Sequence, residues 1–592
     1  MNAFVNYLNS TNNVGGNSTG SLAETQVKSK FYDLVKVYRK LGEHITECVK
    51  TKNNQAFILT GHAGDGKTSI LVQVLKSLGY LATGEGLKAE ESFSDFMYIK
   101  DMSEIAGDEQ VLALKRALSA PSSGKTSLLI SNTGPLLKTF EQLAREQKQA
   151  LGQDFGADDK IELQSTLLSQ LDNNNDTVIN LAGYAFVLVN IARVDNVVFA
   201  TQIMHNILAE ELWSPCQSCV NAGKCPIKNN RDIVSAQFDR VSAFVENYYR
   251  YLFENDKRMT IRQMVGQISY ALTGNLTCEY LSNNHLREPL FNYNFANLFF
   301  GYKGLTPCKE ATQIKGIYQI RTLALDRVAL DVDYKLFVSQ DFSCFDPIIE
   351  KELKALKAKH KKHYQVAEEE QVSSERKHEK ELQIRQAIRR FYLMFSLYEN
   401  GKDIEHVMNQ IFGTLYSDYK MLISSPQSKT VRNGLRNIIF DALYMKNTGY
   451  LPNGNTELPL TLRREDDVFQ NVMIVLGEVG RNDLSIIQKK VTNKFEDAYN
   501  KHDLILSFGD AEYKLTLPMV NYFNDLINGA ISSNNNPALS HGIAQLDALL
   551  LEEFSEDRPE CEEDCELTVI ISTTNGQKVE RFSFDGNRLN IQ

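Results

Sequence analysis

Short apolar runs alternate with longer helical stretches between residues 55 and 210. The runs AFILT (56–60), FMYIK (96–100), SLLIS (127–131) and TVINL (177–181) are each too short for a helix. The stretches between them are long enough for helical crossovers, which predicts a parallel sheet flanked by helices. Upstream, residues 29–50 carry Phe31, Leu34, Val35, Tyr38 and Leu41 at helical spacing, so one amphipathic helix should lead into the first strand. The opening residues, rich in Ser, Asn and Gly with little periodicity, read as a flexible arm. Residues 231–345 read as mostly helical, and 347–450 more so. Over the last 140 or so residues LPLTL, NVMIVLGEV, LILSF, YKLTLP and LTVIIST are strand-like, and Asn575-Gly576 between alternating runs signals a two-residue hairpin. The expected fold class is an α/β core with a parallel sheet, followed by a mainly helical lid and middle region and a β-rich C-terminal domain. The expected divisions are an arm (1–27), the core with its leading helix (28–210), the helical lid (211–345), a charged helical region (346–450) and the β-rich domain (451–592). No internal repeat is apparent.

A chain of 592 residues exceeds the usual domain several-fold. With 43% hydrophobic and 23% charged residues its balance is that of a folded globular protein. No run of about 18 apolar residues occurs, and the N-terminus lacks the charged start and apolar core of a signal peptide, so a cytoplasmic protein without a membrane span is expected. The net charge of −10 excludes a molecule-wide basic field, so any contact with DNA must be local or made through a partner. From Glu350 to Arg390 twelve Lys/Arg and eight Asp/Glu alternate. That segment reads either as a solvated helix face or as a nucleic-acid or partner surface built on Lys351, Lys354, Lys357, Lys361 and Lys362. The acidic stretch 552–566 reads as a solvated loop.

The strand AFILT runs directly into GHAGDGKTS, which fits G-x-x-x-x-G-K-S/T with the helix-forming run ILVQVLKSL behind it. The pattern is the one expected of the phosphate-binding loop of a P-loop NTPase. Gly61 and Gly66 let the backbone turn tightly, so that the N–H groups of Gly61, His62, Ala63, Gly64, Asp65, Gly66, Lys67, Thr68 and Ser69 can face a phosphate, helped by the positive helix end near Lys67. Lys67 should reach the β- and γ-phosphates of ATP and Thr68 should hold Mg²⁺. A second GKT, Gly124 to Thr126, reads as a turn, because Ser119 stands where its first glycine should be. Mg²⁺ also needs a carboxylate at the end of a neighbouring strand, and Asp101, closing FMYIKD, is the candidate. Glu104 reads either as a group polarising the attacking water or as the first turn of the next helix. Asn132, ending SLLIS, resembles the sensor that AAA+ and related ATPases place beside the γ-phosphate, and reads equally as a turn residue. Arg193, Arg258, Arg262, Arg321 and Arg327 all fall where an arginine completing the site could arise, and the sequence does not choose among them.

Three of the nine cysteines lie within ten positions, Cys216, Cys219 and Cys225, in C-x2-C-x5-C spacing. In a reducing compartment such clustering points to metal rather than to disulfides. A closed site needs a fourth ligand, for which Cys278 is the candidate, with His205 behind it. Zn²⁺ is the simplest occupant, and a 4Fe–4S cluster is the alternative. Cys48, Cys308 and Cys344 read as single buried thiols, and Cys561 and Cys565 as incidental.

With GHAGDGKTS, YIKDMS, ISNTGPL, the W-x2-C-x2-C-x5-CPIKNN block and TIRQMVGQISYALTGNLTC in this order, residues 55–345 resemble bacterial anti-phage defence ATPases. The DptF family of DNA phosphorothioation-dependent restriction proteins is the one they resemble most. The resemblance implies an ATP-hydrolysing subunit of a restriction complex, with other subunits as partners, acting directly or through them on foreign DNA that lacks a protective backbone modification. A homo-oligomer is also compatible with it. The residues themselves leave a second reading open, a nucleotide-gated scaffold that assembles on binding ATP with little turnover. An iron–sulfur nuclease is disfavoured because no nuclease motif is recognisable.

Overall fold

The structure is a computed structural model. It describes all residues except 13–28, 63, 83–84, 174–175, 284–289, 370–373, 397–401, 463–470, 499, 531–535, 556–564, 574–575, 585–587 and 592. The chain divides into two compact units. The first comprises Met1–Phe253, Arg258–Ile411 and Thr492–Tyr499, and the second Glu254–Lys257, Phe412–Val491 and Asn500–Gln592.

The sheet of the first unit has the order β2-β3-β4-β1-β6-β5. Its strands are β1 (Ala56–Thr60), β2 (Glu90–Ser92), β3 (Phe96–Ile99), β4 (Thr126–Ile130), β5 (Ile179–Leu181) and β6 (Tyr184–Asn190), and β7 (Tyr302–Lys303) and β8 (Thr306–Pro307) pair separately as a short antiparallel ladder. β3, β4, β1 and β6 run parallel, and β2 and β5 close the edges antiparallel. β1 is buried along its whole length because both faces of the sheet are covered. Phe57 and Leu59 project to one face, where Ile45, Val49, Ile70 and Val74 pack. Ala56 and Ile58 project to the other, against Val111, Leu114, Phe140 and Leu167.

Four expectations for this unit need correction. The arm expected over 1–27 begins with a helix, α1 (Ala3–Thr11), whose Phe4, Val5 and Leu8 are fully buried; residues 13–27 lie outside the described residues. The single leading helix over 29–50 is instead a short turn, Tyr32–Val35, and a helix α2 (Lys40–Lys50). The extended break between them lets the Arg39 N–H donate to Gln73 Oε1 and the Arg39 carbonyl accept from Gln73 Nε2, both at 2.9 Å. As a result Leu34 and Tyr38 are 46% and 51% exposed rather than buried. TVINL does not enter the parallel set: β5 is an antiparallel edge strand hairpinned to β6, and it is β6 that pairs with β1. The charged helices do not form a division of their own, since residues 346–411 belong to the first unit. Their anchor there is Arg390, fully buried and bonded to the Asp326 carboxylate at 2.7 Å, Asn297 Oδ1 at 3.0 Å and the Gly304 carbonyl at 3.1 Å.

The second unit starts at Phe412 rather than 451 and mixes helices with strands. A five-stranded antiparallel sheet, β16-β15-β14-β10-β9, is built from β9 (Glu457–Leu462), β10 (Val472–Gly480), β14 (Cys565–Thr573), β15 (Gly576–Phe584) and β16 (Leu589–Ile591). A three-stranded meander comprises β11 (Leu484–Lys490), β12 (His502–Phe508) and β13 (Ala511–Lys514). β14 and β15 pair antiparallel as a hairpin, but Gly576 is a strand residue paired with Thr573 rather than part of the expected Asn575-Gly576 turn; Asn575 lies outside the described residues. The LTLP end of YKLTLP is not strand; Leu517 opens a helix with Pro518 in its first turn. Most of the acidic stretch 552–566 lies outside the described residues, although Cys565 and Glu566 start β14. Among the described residues no helix is long and apolar enough to cross a membrane.

Candidate functional site

Because β1, β3 and β4 are parallel, their carboxyl ends open on one side of the sheet, where open α/β folds place ligands. The residues following them, His62, Asp101 and Asn132, line one cavity of about 350 Å³ together with Lys67, Thr68 and Arg262. That volume lies in the range of small-molecule sites.

The loop between β1 and helix α3 (Lys67–Leu78) owes its shape to its glycines. Gly64 and Gly66 sit at φ +89° and +93°, a region closed to most side chains, and a Cβ on Gly64 would also stand 3.1 Å from Thr260 Oγ1. Asp65 holds the loop from within. It is fully buried, its carboxylate accepts from the His62 N–H at 2.8 Å, and it pairs with the Arg258 guanidinium. With Asp65 turned inward, His62, Gly64 and Gly66 of the loop and Lys67, Thr68 and Ser69 at the N-terminus of α3 line the cavity. Lys67 Nζ lies 2.6 Å from the Gly61 carbonyl, 3.1 Å from that of His62 and 3.5 Å from Asn132 Oδ1. Burial pulls this ammonium below its ordinary pKa, and the carboxylates of Asp65 and Asp101 pull the other way.

Asp101 and Asn132 both line the cavity beside Lys67. Asp101 additionally caps the following turn through Ser103, accepting from its N–H at 2.9 Å and its hydroxyl at 2.6 Å. Glu104 does not meet the cavity: it turns to Lys100 at 3.0 Å and is half exposed. The arginines separate clearly. Arg193 pairs with Asp172, Arg258 with Asp65, and Arg321 lies over the Tyr302 ring. Arg389 donates to the carbonyl of Arg327 at 3.5 Å. Arg262 alone of the five lines the cavity, and burial lowers its pKa, with no carboxylate among the described residues opposing. The helix that carries it, α4 (Ile261–Thr273), starts with a capping box between Thr260 and Gln263, which fixes Arg262 in its first turn.

Behind the loop stands a group the sequence did not reveal. Arg39 pairs with Asp497, both side chains 3% exposed, and its Nη1 reaches the Asp65 carbonyl at 3.4 Å. Asp497 also accepts from the Lys40 N–H at 2.8 Å, and two residues earlier Phe495 is fully buried in the cluster around β1 and α3. The partners stand 458 positions apart in sequence, so no local pattern announces them.

Cys216, Cys219, Cys225 and Cys278 are neighbours: Cys216 lies within electrostatic reach of Cys219 and Cys278, and Cys225 within that of Cys216 and Cys278. Cys225 accepts from backbone N–H groups at the start of the helix Pro226–Ala236, and Asn2 Nδ2 donates to Cys216 Sγ at 3.4 Å. Among the described residues, however, no three His, Cys, Asp or Glu side chains are drawn together as a ready metal cage. His205 is apart, edge-on to Phe238. Of the single thiols, Cys48 is buried, while Cys308 and Cys344 are half-buried. Burial pushes the Cys344 thiol up to about 11. Cys561 lies outside the described residues. In the charged segment Lys354 pairs with Glu350 and Lys357 donates to the Phe337 carbonyl, while the side chains of Lys361 and Lys362 lie outside the described residues.

Comparison with protein-family models, with curated proteins and with solved structures returns no match. The chemistry of the site is accordingly read from its own geometry.

Removing one partner of a buried ion pair leaves the other charge stranded, at a cost of about 3–5 kcal/mol. Asp497→Ala should therefore lower the first thermal unfolding midpoint of the full chain by several degrees, measured by calorimetry. An unchanged midpoint would show that the Arg39–Asp497 pair does not hold this unit together.

Proposed function

We propose that the chain binds Mg²⁺-ATP at the Gly61–Ser69 loop and hydrolyses it. The observation that carries this reading is the convergence of Lys67, Thr68, Asp101 and Asn132, from one loop and two further strand ends, on a single cavity. The donor set fits the ligand. Lys67 Nζ rests on carbonyl oxygens that a phosphate oxygen can replace, the glycines leave the backbone bare, and α3 presents its N-terminus. Thr68 and Asp101 supply the hydroxyl and carboxylate for Mg²⁺, which when bound neutralises charge on the phosphates. Arg262 brings a second unpaired cation to the transferred phosphoryl group, and Asn132, bonded to Lys67, can orient a water at the end of β4. The environment favours Arg262 as the completing arginine; Glu104, engaged with Lys100, drops out.

The biological half of the proposal is that this ATPase serves a prokaryotic DNA-restriction or anti-phage complex, with partner subunits and foreign DNA. It rests on the ordered motifs of residues 55–345 alone. Zn²⁺ at Cys216, Cys219, Cys225 and Cys278 is a separate structural proposal, supported by the proximity of the thiols. It requires all four thiols, the exposed Cys219 among them, to draw closer together than they stand.

Steady-state ATPase assays with and without double-stranded DNA test the reading. Wild type should turn over with DNA stimulation, Lys67→Ala should lose about 10²–10³-fold, and Arg262→Ala about 10–100-fold, the worth of a charged hydrogen bond. Tight ATP binding with no turnover under either condition would remove the hydrolytic reading and leave the nucleotide-gated scaffold. Elemental analysis of the same protein should find one zinc per chain, lost in Cys278→Ser. Absence of metal in wild type would end the zinc proposal, and iron with visible absorbance would replace zinc by a cluster.

A further inference from the structure

The polar groups account for only part of the cavity. Among the remaining lining residues are Tyr7 and Thr11 of α1, Tyr32 and Val37 of the segment that follows, and Ile203 and Val265. With Lys36 and Arg39 among them, these residues make a largely aromatic and aliphatic surface contiguous with the Gly61–Ser69 loop.

α1 is fixed in place by contacts along its length. Asn2 caps it, accepting from the Phe4 N–H at 3.0 Å, and Asn2 Nδ2 donates to the Leu212 carbonyl at 2.9 Å. The Phe4 ring stands edge-on to Trp213 at 5.8 Å, and Asn9 Nδ2 donates to the Leu276 carbonyl at 2.9 Å. At its far end the helix lies so close to α4 that a Cβ on Gly266 would come within 3.2 Å of the Thr11 carbonyl. Phe4, Val5 and Leu8 are buried in the core, Tyr7 stands half-buried on the cavity side, and Thr11, buried with its hydroxyl donating to the Leu8 carbonyl at 2.7 Å, lines the cavity beside it. Tyr7 is held in orientation by Phe31, 5.6 Å between ring centroids, and is only half-buried. Burial without a charged partner keeps its hydroxyl protonated, so it offers a neutral ring and a donor.

We propose that α1 recognises the nucleoside end of the bound nucleotide, Tyr7 giving its ring to the base. The proposal rests on the reading of the Gly61–Ser69 loop as the phosphate site. It divides the ligand between two parts of the chain: the loop takes the phosphates without regard to the base, and the N-terminal helix takes the base without regard to the phosphates. Base–aromatic stacking of this kind is commonly worth about ten- to a hundredfold in affinity.

The test is calorimetric titration of the full chain with Mg²⁺-ATP and, separately, with Mg²⁺-tripolyphosphate, which has the phosphates and no base. Tyr7→Ala should weaken ATP by about ten- to a hundredfold and leave tripolyphosphate within twofold, whereas Tyr7→Phe, which keeps the ring, should stay near wild type for both. Equal weakening of ATP and tripolyphosphate in Tyr7→Ala would mean that α1 only supports the fold. No weakening of either would mean that it does not touch the ligand. Each result overturns the proposal. Lys67→Ala separates the underlying reading: it should lose both ligands, and if it keeps tripolyphosphate it is the phosphate site that has been misassigned.

Discussion

The first unit depends on a carboxylate buried inside its own ligand-facing loop. Asp65 has no access to solvent, so its charge must be met by protein, and three partners converge on the residue: the His62 N–H and the Arg258 guanidinium on the carboxylate, and Arg39 on the carbonyl. A buried charge that lost its partners would cost several kcal/mol, so the loop, the chain entering α4 and the chain entering α2 are tied to one arrangement. The cavity follows from that tie. Arg258 brings Thr260 against Gly64 and sets Arg262 over the loop, while Arg39 secures the break that lets Val35 and Val37 line the cavity.

The same tie reaches far along the chain. Asp497, which neutralises Arg39, belongs with the first unit although β11 and β12 on either side of it belong to the second. Phe495 fills the core under α3, so the packing behind the loop is incomplete until more than four hundred further residues have been made. The candidate site is therefore a property of the long chain rather than of residues 28–210 alone.

What could be read from sequence was local. The loop, its strand and its helix are contiguous, and Asp101 and Asn132 are strand ends, so a pattern of apolar runs and turns suffices to find them. β6 escaped because its hairpin partner β5 offered an apolar run first, and alternation alone cannot tell an edge strand from its buried neighbour. α1 escaped because Asn2, Asn6, Asn9, Ser10 and Thr11 give it the composition of a linker, although Phe4, Val5 and Leu8 carry a helical stripe. The choice of Arg262 from five arginines, and the role of Arg39, depend on which carboxylates stand nearby in space. Spacing does not encode that.

Hydrogen exchange with and without saturating Mg²⁺-ATP tests the central claim most directly, because it asks which backbone a nucleotide touches. Exchange should slow in residues 61–69, in α1 and in the first turns of α4, the three segments that enclose the cavity. Unchanged exchange across residues 61–69 at saturating Mg²⁺-ATP would contradict the account, whatever happened elsewhere in the chain.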